Sequence, residues 1–175
     1  MIAKANMNLS KKKILFIDLD DTLIKTASGK TFAEDCTDFR IQKGVLDKII
    51  ETMPLDYINI VTNQGGMGTY FTEGDFYIKN ATIIHFMQSY LHNRGIWLEI
   101  TTSVCTTMDK NNPCRKPNCG FLEHFWKDHN DYTKDEMIMI GDASGKEGDF
   151  SDSDKKCAEN FGIDYIDVRD FLNLE

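Results

Sequence analysis

The apolar residues of this chain form short runs that alternate with stretches of helical spacing. Five runs have the length and composition of buried strands, over residues 14–19, 57–63, 97–104, 137–142 and 163–168. Elsewhere, apolar residues recur three and four positions apart and predict helices over 45–53, 74–94, 120–129 and 152–161. Strands that alternate with helices predict a parallel sheet covered by helices on both faces.

We therefore predict an α/β fold, a Rossmann-like three-layer sandwich around a central parallel sheet of about five strands. The segment 24–43 is too polar for a helix, and its Ser28-Gly29-Lys30 sequence is typical of a hairpin turn, so we expect a small flap there. No other segment has room for a second globular unit. We expect a tail over residues 1–13, one domain over 14–175 and no cap domain.

Composition narrows the function classes. No apolar run approaches the roughly 20 residues that cross a bilayer, and residues 1–13 lack the apolar core of a secretory signal. Five cysteines without regular spacing agree with a reducing compartment. We expect an intracellular monomer, in the cytoplasm or nucleus, that does not bind membranes. The net charge of -8 argues against bulk attraction to nucleic acid.

Polar residues stand at the ends of the predicted strands, where ligands bind in open parallel sheets. They are Asp18, Asp20, Thr62, Asn63 and Asp142, joined by Lys116 from the loop after the third strand. Converging carboxylates repel one another unless a cation lies between them, and oxygen ligands suit Mg²⁺. The Thr62 hydroxyl, the Lys116 ammonium and free backbone amides at Asn63 and Gln64 are the donors that a phosphate needs.

Four segments carry a family resemblance: FIDLDDTL, VTNQ, RKP and IGDASG. They resemble, in the expected order, the four motifs of the haloacid-dehalogenase-like (HAD) phosphatases. The resemblance implies that Asp18 is the nucleophile and an Mg²⁺ ligand, and that Asp20 is the general acid and base with its backbone carbonyl on the metal. It also implies that Thr62 and Lys116 hold the phosphoryl group and that Asp142 binds Mg²⁺.

The fourth motif departs from the family pattern, because the insertion ASGKEGDFSDS separates Asp142 from the next candidate acid. Asp149 and Asp154 are candidates for an outer-sphere contact. This insertion, together with TLIKTASGKTF, DFRI and CRKPNCGF, resembles the 3′-phosphatase domain of polynucleotide kinase/phosphatase. That resemblance implies removal of a 3′-phosphate from DNA or RNA ends during repair. A separate kinase or ligase is then a candidate partner.

Two other functions stay open at this point. A phosphatase for a small metabolite, of the heptose bisphosphate or histidinol phosphate type, is favoured by the acidic charge and by Cys105, Cys114 and Cys119 around RKP. Related small-molecule phosphatases carry a zinc loop there, but only two of its four ligands are present in this sequence. An inactive binding module is disfavoured, because every catalytic position carries the residue that its role requires.

Several residues in or near the flap and the strand ends have more than one possible role. The candidate contacts to a nucleic-acid backbone are Lys25, Lys30, Arg40 and Arg115, although isolated surface cations are usually only solvated. Phe32 and Phe39 either stack on a terminal base or pack the flap onto the core. Asp21, between the two motif aspartates and Thr22, stands where this family often has glycine. We expect the Asp21 side chain to point away from the site.

Overall fold

The computed structural model describes residues 7–31, 33–69 and 71–174. Its strands are β1 (Ile14–Ile17), β2 (Ile24–Lys25), β3 (Arg40–Ile41), β4 (Tyr57–Asn63), β5 (Glu99–Cys105), β6 (Met137–Gly141) and β7 (Asp164–Asp167). Its helices are α1 (Val45–Thr52), α2 (Glu73–His92), α3 (Gly120–Asp128), α4 (Ser153–Phe161) and α5 (Val168–Leu172). Every predicted strand and helix is confirmed, with ends shifted by no more than two residues.

Five strands form one parallel sheet in the order β5-β4-β1-β6-β7. The chain leaves β1 toward β4 and β5 on one side and later returns to β6 and β7 on the other. The order therefore reverses at β1, and a crevice opens beyond the carboxyl ends of the central strands. The α/β fold predicted from the sequence is confirmed.

The strand β1 is buried on both faces because its side chains alternate between two cores. Leu15 and Ile17 pack in a cluster with residues of α1, α2 and α5, whereas Ile14 and Phe16 pack with residues of α3 and α4. The sheet thus lies between two helical layers. This explains the continuous apolar run ILFI and fixes where the chain emerges at Asp18.

The flap is a two-stranded antiparallel ladder, in which Ile24 pairs with Ile41 and Lys25 with Arg40. The Ser28-Gly29-Lys30 segment is not the tight hairpin turn expected from the sequence, since the connection runs over residues 26–39. Asp38 organises this connection by accepting hydrogen bonds from Ser28 and from the backbone of Glu34. Those hydrogen bonds, from the Glu34 backbone first, lower the pKa of Asp38 to about 2.

Two further features lie outside the sequence predictions. The short helix α5 was not predicted, because five residues are too few for a periodic pattern. Within the predicted tail, Met7 and Leu9 pack against the core and Lys12 is buried, with its ammonium on the carbonyl oxygens of Asp135 and Met137. None of the described helices is both long and apolar enough to cross a membrane.

Candidate active site

The Asp18 carboxylate lies just beyond β1, at the centre of the crevice. The backbone amide of Asp18 donates to Ile140 at 2.9 Å, so the pairing with β6 continues to this residue and fixes its direction. Asp18 is only 7% exposed. A buried carboxylate is costly unless it has a partner, and this one has a lysine.

Lys116 reaches Asp18 from the loop between β5 and α3. Its Nζ donates to Asp18 Oδ1 at 2.5 Å and to the Val61 carbonyl at 2.7 Å, and it lies 2.8 Å from Asp154 Oδ1. Burial alone would lower the pKa of Lys116, but the Asp154 and Asp18 carboxylates raise that pKa above its usual range. The lysine therefore holds a fixed positive charge against the candidate nucleophile.

The Asn63 side chain holds the backbone of Lys116. Asn63 Nδ2 donates to the Lys116 carbonyl at 3.0 Å, and the Lys116 amide donates to Asn63 Oδ1 at 3.1 Å. The backbone amide of Gln64 is not free, contrary to the sequence expectation, because it donates to the Cys105 carbonyl at 2.7 Å. Asn63 thus aims the lysine through its side chain, and the phosphate donors supported by the geometry are Thr62 and Lys116.

Three carboxylates converge at the site. Oxygens of Asp18, Asp142 and Asp154 lie within 4.8 Å of one another. Burial raises the pKa of Asp18 well above its usual range, and burial together with the Asp154 charge raises the pKa of Asp142 to about 6. Such crowding is relieved by a cation, and an all-oxygen donor set suits a hard divalent ion. The residues therefore fit a magnesium site.

Asp154 lies in this cluster rather than at its periphery. Its side chain is almost completely buried, and its Oδ2 accepts from the Ala143 amide at 3.1 Å. Gly141, the last residue of β6, leaves the room, since a Cβ there would lie 2.2 Å from Asp154 Oδ2. The insertion in the fourth motif is therefore looped out, and the second acid returns to the site from α4.

Asp149 does not reach the cluster but anchors the insertion. Its carboxylate accepts from the Ser144 hydroxyl at 2.7 Å and from the Lys146 amide at 3.0 Å, and it pairs with Arg169 at 2.8 Å. Burial opposes the effect, but the hydrogen bonds from Ser144 and Arg169 keep the pKa of Asp149 below its usual range. This geometry supports a structural role for Asp149.

The Asp20 carboxylate lies at the mouth of the crevice, with its side chain 54% exposed. Gln64 Nε2 donates to Asp20 Oδ2 at 2.7 Å and to Thr62 Oγ1 at 2.8 Å. Thr62 itself is buried at the end of β4. The side-chain amide of Gln64 therefore links Asp20, the candidate acid and base, to Thr62, a candidate phosphate donor.

Asp21 and Thr22 complete the turn after β1. Asp21 is exposed and has a φ of +57°, in the left-handed region that favours glycine and tolerates aspartate, which accounts for the glycine preference at this position. Thr22 is fully buried and its hydroxyl donates to Asp142 Oδ1 at 3.3 Å. The turn thus helps to orient the carboxylate that follows β6.

The four candidate nucleic-acid contacts differ in their surroundings. Lys25 and Arg40 are exposed neighbours across the flap ladder. Lys30 pairs with Glu34, and Arg115 Nη1 donates to the Thr107 carbonyl at 2.8 Å. Lys25 and Arg40 are therefore the two that present paired positive charge to solvent.

The aromatic and cysteine candidates are placed as follows. Phe39 packs against the core, and Phe32 lies outside the described residues. Among the described residues, the Asp18, Asp142 and Asp154 cluster is the one group of three potential metal ligands, and it includes none of Cys105, Cys114 and Cys119. These cysteines have free thiols, and burial raises the pKa of Cys114 and Cys119.

Comparison with known proteins agrees with this geometry. The profile of a family described as polynucleotide kinase 3 phosphatase matches residues 13–171. The chain belongs to this family. The HAD-like phosphatase resemblance predicted from the four motifs is thereby confirmed, and with it the class of enzyme, phosphatases, to which the chain is related.

The relatives of this family member include proteins named for polynucleotides and proteins named for histidine biosynthesis. It is 33% identical over 175 residues to a bifunctional polynucleotide phosphatase/kinase of Schizosaccharomyces pombe, covering 98% of this chain and 40% of the relative. It is 31% identical over 160 residues to the histidine biosynthesis bifunctional protein HisB of Legionella pneumophila, covering 90% and 41%. The chain thus spans about two fifths of the length of these relatives.

A solved structure supports the fold. The D,D-heptose 1,7-bisphosphate phosphatase of B. bronchiseptica, in complex with magnesium and phosphate, superposes with a TM-score of 0.61 at 18% identity. The match covers 87% of this chain and 78% of that protein. At this identity the likeness concerns the architecture, which is the parallel sheet with helices on both faces.

Sequence reasoning missed two residues of the site. Gln64 stands two residues after Thr62 in the second motif, but only the fold shows that its side chain bridges Thr62 and Asp20. The second residue is Lys79, whose Nζ lies 3.5 Å from Asp20 Oδ1. The sequence does indicate that Lys79 is unusual, because it is a charged residue between Phe76 and Ile83 in the apolar stripe of α2.

Proposed function

We propose that this chain is a phosphomonoesterase that forms an aspartyl-phosphate on Asp18 with the help of Mg²⁺. The observation that carries the proposal is the buried Asp18 carboxylate, which contacts the Lys116 ammonium and has oxygens of two further carboxylates within 4.8 Å. An ammonium beside a buried nucleophile is suited to a phosphate ester, whose oxygens need positive charge as the reaction proceeds.

The reaction has two steps. In the first, a phosphoryl group held by Thr62 and Lys116 is attacked by an Asp18 oxygen, and the bond to the ester oxygen breaks as Asp20 gives that oxygen a proton. In the second, Asp20 takes a proton from water, which attacks phosphorus and releases inorganic phosphate from Asp18. Asp18, Asp142 and the Asp20 carbonyl would hold Mg²⁺, whose charge would offset the negative charge on the phosphoryl oxygens.

We propose a 3′-phosphate at a DNA or RNA end as the substrate. Support comes from the family to which the chain belongs and from the flap, where Lys25 and Arg40 lie side by side and exposed. Like charges opposite each other destabilise a ladder unless they meet an anion. A phosphodiester next to the terminal phosphate would supply that anion.

A small phosphorylated metabolite is the second candidate. It is favoured by the similarity to HisB proteins over 90% of this chain and by the net charge of -8. The test compares kcat/KM on a 3′-phosphorylated oligonucleotide with kcat/KM on histidinol phosphate and on heptose bisphosphate. The polynucleotide proposal predicts a preference for the oligonucleotide, and a preference for either small molecule contradicts it.

A flap variant adds a second arm to this comparison. Lys25→Glu should lower kcat/KM on the oligonucleotide by about fivefold at low salt, because one phosphate contact is lost and a repulsive charge is added. Activity on p-nitrophenyl phosphate should be unchanged. Lys127→Glu is the matched control, since Lys127 is an exposed lysine on α3. Equal effects of the two variants would contradict a role for the flap.

A further inference from the structure

Lys79 occupies a position that normally holds an apolar residue. It lies on the buried stripe of α2 with Phe76, Ile83 and Met87, and it is only 9% exposed. A lysine with so little access to water destabilises the fold unless its ammonium has a partner of opposite charge. The surroundings of Nζ therefore indicate why the residue is tolerated.

The ammonium of Lys79 faces the candidate acid and base. Its Nζ is 3.5 Å from Asp20 Oδ1, and within the described part of the chain Asp20 is the one carboxylate that it pairs with inside 4 Å. The Phe39 ring of the flap lies on another side, with its centroid 5.9 Å from Nζ. The charge is thus held between the flap and the crevice.

Gln64 holds the other oxygen of the same carboxylate. Its Nε2 is 2.7 Å from Asp20 Oδ2, and because a carboxylate only accepts hydrogen bonds, the amide must present its nitrogen. The second hydrogen of that nitrogen points at Thr62 Oγ1, 2.8 Å away. Thr62 accepts there, so its own hydroxyl hydrogen is free to point toward a phosphoryl oxygen.

We propose that Lys79 is a positioning residue that, together with Gln64, fixes the half-exposed Asp20 carboxylate toward the leaving-group oxygen of the ester. The inference rests on the proposed function, since it concerns the first step of that reaction. An exposed aspartate otherwise samples several rotamers, and proton transfer needs the carboxyl group within hydrogen-bond distance of the departing oxygen. The hydrogen bond from Gln64 to Oδ2 and the ion pair of Lys79 with Oδ1 restrict that freedom.

The consequence depends on the leaving group. An alkoxide, such as the sugar oxygen left when a phosphate is removed, needs a proton as the bond breaks. The p-nitrophenolate ion is stable without one. A misplaced Asp20 should therefore slow hydrolysis of alkyl phosphates much more than hydrolysis of p-nitrophenyl phosphate, whereas general damage to the site should slow both alike.

The experiment measures kcat/KM for the wild type, Lys79→Met and Lys79→Arg with Mg²⁺. The substrates are p-nitrophenyl phosphate and whichever of the 3′-phosphorylated oligonucleotide, histidinol phosphate and heptose bisphosphate the wild type hydrolyses best. This constant reports the steps up to aspartyl-phosphate formation, in which the acid acts. Lys79→Met should lower it about tenfold or more on the alkyl phosphate and less than about twofold on p-nitrophenyl phosphate.

The ratio of the two constants is the decisive quantity, because it does not depend on the fraction of protein that is folded. Lys79→Arg keeps the charge and should keep the ratio of the wild type. Lys12→Met is the matched control, since Lys12 is also a buried lysine paired with an aspartate, Asp164, but at the amino-terminal edge of the sheet. It should lower stability and leave the ratio unchanged.

Two results overturn the inference. If Lys79→Met lowers both constants equally, or neither, Lys79 does not position Asp20, while a wild type active on both substrates leaves the proposed function standing. If the wild type hydrolyses neither substrate, the proposed function fails and the role of Lys79 fails with it.

Discussion

At the scale of residues, the site concentrates negative charge in a place where water is scarce. Asp18 and Asp154 are buried, Asp142 is half-buried, and the ammonium of Lys116 lies among them. Burial and mutual repulsion raise the pKa of Asp18 and of Asp142. The metal-free protein is therefore less stable than it would be with neutral side chains in the site, as is common where groups are arranged for function.

A prediction follows for Asp142, whose pKa of about 6 lies above the value near 4 that an unfolded chain gives. The folded state binds the proton more tightly, so the contribution of Asp142 to stability is complete below about pH 4 and is lost as pH rises through 6. At pH 7, Asp142→Asn should increase the free energy of unfolding of the metal-free protein by about 1–2 kcal/mol.

Urea unfolding of both proteins from pH 4 to pH 7 checks this. The advantage of Asp142→Asn should grow with pH, and a difference independent of pH contradicts the prediction. If Mg²⁺ binds the folded site as proposed, added Mg²⁺ should stabilise the wild type and should have little effect on the variant.

At the scale of elements, the end of β6 decides whether the second acid reaches the site. A Cβ at Gly141 would lie 2.2 Å from Asp154 Oδ2 and 2.7 Å from Asp154 Cβ. Because the clash includes the Cβ of Asp154, a rotation of the Asp154 carboxylate alone cannot relieve it. Gly141→Ala should cost about 1–3 kcal/mol of stability and greatly reduce phosphate release, because Asp154 or β6 must shift.

Gly74→Ala is the matched control for this substitution. Gly74 lies in the first turn of α2, where the nearest atom to an added Cβ is Thr72 Oγ1 at 3.7 Å. Alanine should raise stability there by up to about 1 kcal/mol and leave activity unchanged. Thermal unfolding and phosphate release measured on both variants separate the two cases, and a Gly141→Ala protein as stable and active as the wild type would contradict the packing argument.

The sequence predicts strands, helices and the motif residues well because these depend on local periodicity and on the rule that ligands meet at strand ends. It does not predict the place of Asp154, since the insertion ASGKEGDFSDS separates it from Asp142 in the chain. Nor does it predict the hydrogen bonds between Asn63 and the Lys116 backbone or the ion pair between Lys79 and Asp20, because those contacts join segments far apart in the chain. Pairings of this kind depend on tertiary packing rather than on local pattern.

At the scale of the whole molecule, the reversal of strand order at β1 brings the ends of β1, β4 and β6 to one crevice. The net charge of -8 makes long-range attraction of a polyanion weak, so positive charge has to act locally, through Lys116 inside the crevice and Lys25 and Arg40 on the flap. The proposed function therefore assigns substrate choice to the flap and the chemistry to the strand ends.

The central claim is that a phosphoryl group is transferred to Asp18. The most direct test mixes the protein and Mg²⁺ with a phosphate ester, quenches with acid within the first turnover, and determines by mass spectrometry which peptide has gained a phosphoryl group. We predict modification of Asp18 in the wild type, with release of inorganic phosphate in the absence of the quench, and neither in Asp18→Asn. Phosphate release by Asp18→Asn at the rate of the wild type, or a phosphoryl group on another residue, would contradict the account.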